Sequence, residues 1–116
     1  MYSYTKMDVE LLLVAQRSLL GEIPPRLRAG SFDLSPDGKN MVARFEFDGL
    51  PTEEEIECIS VAMTNFTSAS NLGSGSYKEE MAAVPYPEKL KLLRLMVFRR
   101  NEDQWNSWVN YFGQSK

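Results

Sequence analysis

The sequence contains no histidine and a single cysteine, Cys58. Histidine is the usual general base near neutral pH and the usual metal ligand, so Ser–His and Cys–His nucleophile pairs and His-bearing zinc sites are excluded. One cysteine cannot form an internal disulfide, which fits a reducing compartment and makes the cytoplasm the expected location. Long apolar runs are also missing. The longest, Val9 to Ala15, is interrupted by Glu10 and falls far short of the roughly 20 residues that span a bilayer. The N-terminus lacks a basic stretch followed by an apolar core and a small-residue cleavage site, so no signal peptide is expected. What remains is 116 residues of ordinary composition, 43% hydrophobic and 25% charged, enough for one domain spanning residues 1–116.

Positive charge is absent from the central third. Residues 45 to 77 carry Glu46, Asp48, Glu53, Glu54, Glu55 and Glu57 with no Lys or Arg, whereas the whole chain has a net charge of −3. A nucleic-acid-binding face needs the opposite sign, so no direct nucleic-acid contact is expected. An acidic surface suits a basic partner, and acidic helix surfaces also serve merely to solvate a protein.

The pattern of elements is α-β-β-α-β-β-α. A first helix from about Thr5 to Leu20 ends at Gly21 and Pro24-Pro25. Its apolar arc of Val9, Leu12, Leu13, Leu19 and Leu20, widened by Leu11 and Val14, predicts burial on more than one side, with contact to a partner as the alternative. Arg26 to Leu34 and Lys39 to Asp48 read as a hairpin around Ser35-Pro36-Asp37-Gly38. In its second strand Met41, Ala43, Phe45 and Phe47 face a core, and Val42, Arg44, Glu46 and Asp48 are expected to meet water.

Thr52 and Glu55 form a Thr-x-x-Glu capping box for a second helix, Glu53 to Ser68, with Ile56, Ile59, Met63 and Phe66 on its apolar face. Leu72 to Ser76 reads as a flexible connector, Tyr77 to Val84 as a third strand and Leu95 to Arg100 as a fourth. Pro85-Tyr86-Pro87 forces an extended stretch between them. Asn101 and Gln104 suggest a last helix carrying Trp105, Trp108, Val109 and Phe112. Together these predict an α+β fold, a mainly antiparallel four-stranded sheet packed with helices.

No chemical motif stands out. Cys58 sits among carboxylates that oppose thiolate formation and reads as structural. Gly73-Ser74-Gly75 lacks the further glycines and the lysine of a phosphate-binding loop. Glu53 to Glu55 on a helix point in different directions and do not converge on one ion, so neither a metal nor a cofactor is expected. Arg99, Arg100 and the terminal aromatics fit single-stranded nucleic acid less simply than a helix docked on the sheet.

Several stretches together resemble a known group. They are Leu11 to Gly21 (LLLVAQRSLLG), Pro25 to Arg28 (PRLR), Arg44 to Gly49 (RFEFDG), Pro51 to Glu55 (PTEEE), Val84 to Glu88 (VPYPE), Leu92-Leu93 and Val97 to Arg100 (VFRR). In order and spacing they are similar to a family of small cytoplasmic bacterial proteins that includes immunity proteins of contact-dependent growth inhibition and related polymorphic toxin systems. The resemblance covers residues 8 to 100, with 101 to 116 as an extension. It implies a non-enzymatic protein that binds and neutralises the C-terminal domain of a cognate toxin, often a nuclease. Since nucleases carry basic substrate surfaces, the expected contact residues are Glu46, Asp48, Glu53, Glu54 and Glu57. The competing readings are a homodimeric adaptor using the first helix and a small enzyme or ligand-binding domain with carboxylates or tyrosines in a pocket.

Overall fold

A computed structural model describes residues 5–69 and 75–102. The elements are α1 (Lys6–Leu19), β1 (Leu27–Leu34), β2 (Asn40–Phe47), α2 (Glu53–Ala69), β3 (Ser76–Ala83) and β4 (Leu95–Arg99). This is the expected α+β order through the fourth strand. The expected terminal helix, with Trp105, Trp108 and Phe112, falls outside the described residues.

Local chemistry sets the element ends. The Thr5 hydroxyl accepts from the Asp8 N–H and the Asp8 carboxylate from the Thr5 N–H, both at 3.0 Å, which caps α1. Gly21, at φ 80°, turns the chain out of that helix. The Thr52–Glu55 box forms as expected, with bonds of 2.9 and 3.1 Å. In the hairpin, Asp37 accepts from the Lys39 N–H, and Gly38 adopts φ 74° where a Cβ would collide with Met7 Sδ.

The sheet order is β3-β2-β1-β4. β1 pairs antiparallel with β2, as the hairpin predicts, and also with β4, so the sheet is mainly antiparallel; β3 runs parallel to β2, from Asn40↔Ser76 to Phe47↔Ala83. The physical reason is α2: it carries the chain back along the sheet, so the next strand starts at the same end as β2. Both helices cover one face. There Leu11, Ala15 and Leu19 of α1 and Ile59, Ala62, Met63 and Phe66 of α2 close on Leu27, Phe32, Met41, Phe45, Phe47 and Leu95. Phe32 anchors the cluster, with ring centroids 6.1 Å from Phe45 and 5.3 Å from Phe66. Burial and a bond to Glu79 push the Tyr77 phenol above its ordinary pKa. α1 is buried on one side only: Met7, Val9 and Leu13 are exposed, and among the described residues no helix or strand packs on that side. Cys58 is likewise exposed rather than packed in the core.

The other face corrects a second expectation. Because β3 and β4 lie at opposite edges, the segment between them, residues 84–94, must cross β2 and β1. Apart from the Val84 N–H, which donates to the Phe47 carbonyl at 2.8 Å, it is not paired with a strand, and side chains of the sheet supply partners for its backbone. Arg28 Nη1 donates to the carbonyls of Val84 (2.6 Å) and Glu88 (2.8 Å). Asp48 accepts from the Tyr86 N–H, Glu46 from the Lys91 N–H and the Ser31 hydroxyl from the Leu93 N–H. The polar face of β2 therefore meets a covering chain at Glu46 and Asp48, where water was expected.

Arg94 ends this segment with two 3.0 Å bonds to the Asp8 carboxylate and a contact to Asp33. The bonded guanidinium of Arg94 holds Asp8 down at about pKa 2, below the ordinary 3.8. A lowered carboxylate pKa stabilises the fold above the unfolded value, and the contribution fades as pH falls toward 2. Arg94→Ala should thus cost on the order of 1–2 kcal/mol at pH 7, the low end because Arg94 is partly exposed to screening water. Urea unfolding at stepped pH checks this: the gap between variant and native protein should narrow as pH falls below about 4 and close near pH 2. A gap that persists there would assign the loss to packing instead.

Candidate partner-binding surface

The five expected contact residues separate into two groups. Glu46 is fully buried; besides accepting from Lys91, it lies 3.6 Å from Arg44 Nε. It has no surface to offer a partner. Asp48 is only partly exposed and is engaged by the Tyr86 N–H and by Arg100 Nη2 at 3.1 Å, which together lower its pKa. Glu53, Glu54 and Glu57 are exposed on α2. Glu55, between them, is committed to the helix cap and to Arg26 at 3.3 Å. The sequence showed the sign of this surface; the crossing segment that withdraws Glu46 left no local signal.

The acidic start of α2 lies at the end of the molecule opposite the hairpin, where the α1–β1 and β2–α2 loops meet. Arg26 joins the loops. Its carbonyl accepts from the Asp48 N–H at 2.8 Å, and its Nη2 donates to the Leu50 carbonyl at 2.7 Å. This pole also carries Leu20, just past the end of α1, and Leu50, in the turn before α2. They are 75% and 80% exposed, the highest values for large apolar side chains among the described residues. Sequence reasoning placed Leu20 on the buried arc of the helix and treated Leu50 only as part of a turn.

A cleft of about 460 Å³ lies on the opposite face of the sheet, between the crossing segment and β1/β4. Arg28, Tyr86, Leu90, Leu92, Arg99 and Glu102 are among its walls. Arg28 bonds Glu102 twice, at 2.7 and 2.9 Å, and stands 5.4 Å from the Tyr86 ring centroid. Those bonds hold the Glu102 carboxyl below its ordinary pKa. Its polar floor is thus occupied in holding the fold. Among the described residues no group of three acidic or thiol side chains is placed to hold a metal ion, and no helix is long and apolar enough to cross a membrane.

No curated protein matches the chain. The family model described as MafI2 immunity protein matches residues 8–102, from the capping Asp8 to the Glu102 that pairs with Arg28. All four strands, α2 and most of α1 fall within it. The chain belongs to the MafI2 immunity protein family.

Proposed function

We propose that this protein binds the C-terminal domain of a cognate toxin and neutralises it by contact alone, acting in the cytoplasm of the cell that makes it. The family match over residues 8–102 carries this reading. A basic toxin domain, such as a nuclease delivered by contact-dependent growth inhibition or a related system, suits the exposed carboxylates of Glu53, Glu54 and Glu57. These would steer it inward and compete with its phosphate substrate.

The first test is co-expression with the toxin domain of the effector encoded immediately upstream. Rescue of growth with a one-to-one complex is the expected result; growth arrest with both proteins folded and no complex would remove the pairing. The steering role is tested with the triple variant E53Q/E54Q/E57Q. Its association should slow by about tenfold at low salt and its salt dependence should flatten, with little change in dissociation. An unchanged on-rate and salt slope would remove the acidic helix from the contact.

A second reading, self-association through α1, is favoured by the exposed Val9 and Leu13 on one side of that helix. Sedimentation of the free protein at micromolar concentration decides it.

A further inference from the structure

We infer that Leu20, Ile23 and Leu50 are the apolar anchor of the toxin interface, seated at the pole beside Glu53 and Glu54. This assignment rests on the immunity reading above and adds the part of the surface that holds the toxin once charge has brought it in.

A single exposed leucine is unremarkable on any protein. Two on adjoining loops, with Ile23 also exposed between Leu20 and Arg26, are a different matter. A tight turn ordinarily takes Asn, Asp, Gly or Ser, whose chemistry serves the turn. Leu50 serves it in no such way: the turn is made by Gly49 at φ 100° and Pro51. Leu20 stands likewise beside Gly21 at φ 80°, with Pro24-Pro25 following.

The loops carrying these side chains are braced. Arg26 spans them through the Asp48 N–H, the Leu50 carbonyl and the Glu55 carboxylate. Leu27 N–H bonds the Pro24 carbonyl at 3.0 Å, and Glu22 N–H bonds the Leu19 carbonyl at 3.0 Å. The leucines are held outward by a scaffold already ordered, so a partner meets them with little further loss of chain entropy.

The neighbouring charge names the occupant. Apolar side chains bordered by carboxylates match an apolar pocket rimmed by Lys and Arg, the arrangement of a polar rim around an apolar centre. A basic toxin domain offers such a rim. A second copy of this chain would set Glu53 and Glu54 against like charge.

The test is the double variant L20N/L50N, which alters two exposed positions and leaves the braces intact. Against the upstream-encoded toxin domain, its Kd should rise about 30- to 100-fold, almost wholly through faster dissociation. This distinguishes it from the glutamine variant, which changes association. A Kd within about threefold of native overturns the anchor while leaving the immunity reading intact; native protein that fails to bind the toxin removes both. A native dimer that L20N/L50N dissociates, with toxin affinity unchanged, would assign the pole to self-association. Both tryptophans, Trp105 and Trp108, lie in the last residues of the chain. A shift in their emission in the free variant, again with toxin affinity unchanged, would assign the pole to the chain's own tail.

Discussion

Replacing Arg28 by alanine is expected to destabilise the protein by about 3 kcal/mol or more. Its guanidinium makes four bonds, two to Glu102 and one each to the carbonyls of Val84 and Glu88, and its side chain is almost wholly enclosed. Removing it leaves a buried carboxylate and two carbonyls that water reaches poorly, and such groups carry their full desolvation penalty. Arg100 softens the loss, because its Nη2 also bonds Glu102 at 2.7 Å. The result belongs at the lower end of the range for a broken buried pair. Urea unfolding at pH 7 measures it, and the Glu102 pKa should rise in the same variant. A cost under about 1 kcal/mol would mean the segment over the sheet is anchored without this residue.

Phe32→Ala is expected to cost about 3–5 kcal/mol, the ordinary penalty for emptying a fully buried aromatic site. Phe32 contacts Phe45 on the neighbouring strand and Phe66 on α2, so its loss loosens the helix from the sheet. Phe32→Leu keeps most of the volume and should cost under about 1.5 kcal/mol. Similar losses for the two variants would point to the ring contacts rather than the cavity. Against a typical stability of roughly 5–15 kcal/mol, either alanine variant sharply increases the unfolded fraction and lowers abundance in the cell. Protection would then fail although the proposed contact surface is untouched. L20N/L50N should do the reverse, keeping a folded protein that no longer holds its partner.

Most of the fold was legible in short stretches of sequence. The Ser35-Pro36-Asp37-Gly38 turn, the Thr52–Glu55 box and the alternation of Met41, Ala43, Phe45 and Phe47 each act over a few residues, and the structure follows them. What escaped was set at long range. The parallel pairing of β3 depends on which way α2 returns, and neither strand records that direction. Glu46 was assigned to water by the same alternation that correctly buried Phe45 and Phe47. Its partner, the Lys91 N–H, lies 45 residues away, and every backbone has such a donor. Nothing in the residue itself distinguishes a solvated carboxylate from one holding a crossing chain.

The candidate surface was legible in sign and not in extent. Glu53, Glu54 and Glu57 are exposed as expected, and the family resemblance found in the sequence agrees with the match over residues 8–102. Leu20 is exposed because α1 buries the stripe of Leu11, Ala15 and Leu19, whereas helical spacing sets Leu20 on the side of the exposed Val9 and Leu13. A leucine in a glycine–proline turn was the available clue to Leu50.

Arg94 reaches back 86 residues to Asp8, and Arg28 waits for Glu102, 74 residues downstream. Contacts of such sequence separation form late and slow folding. During synthesis the first helix and the hairpin emerge long before the residues that seal the other side of the sheet. The nascent chain is therefore an open shell that closes only when its fourth strand is free. A chain released before Arg94 and Glu102 are made lacks both long-range anchors of the segment that crosses the sheet.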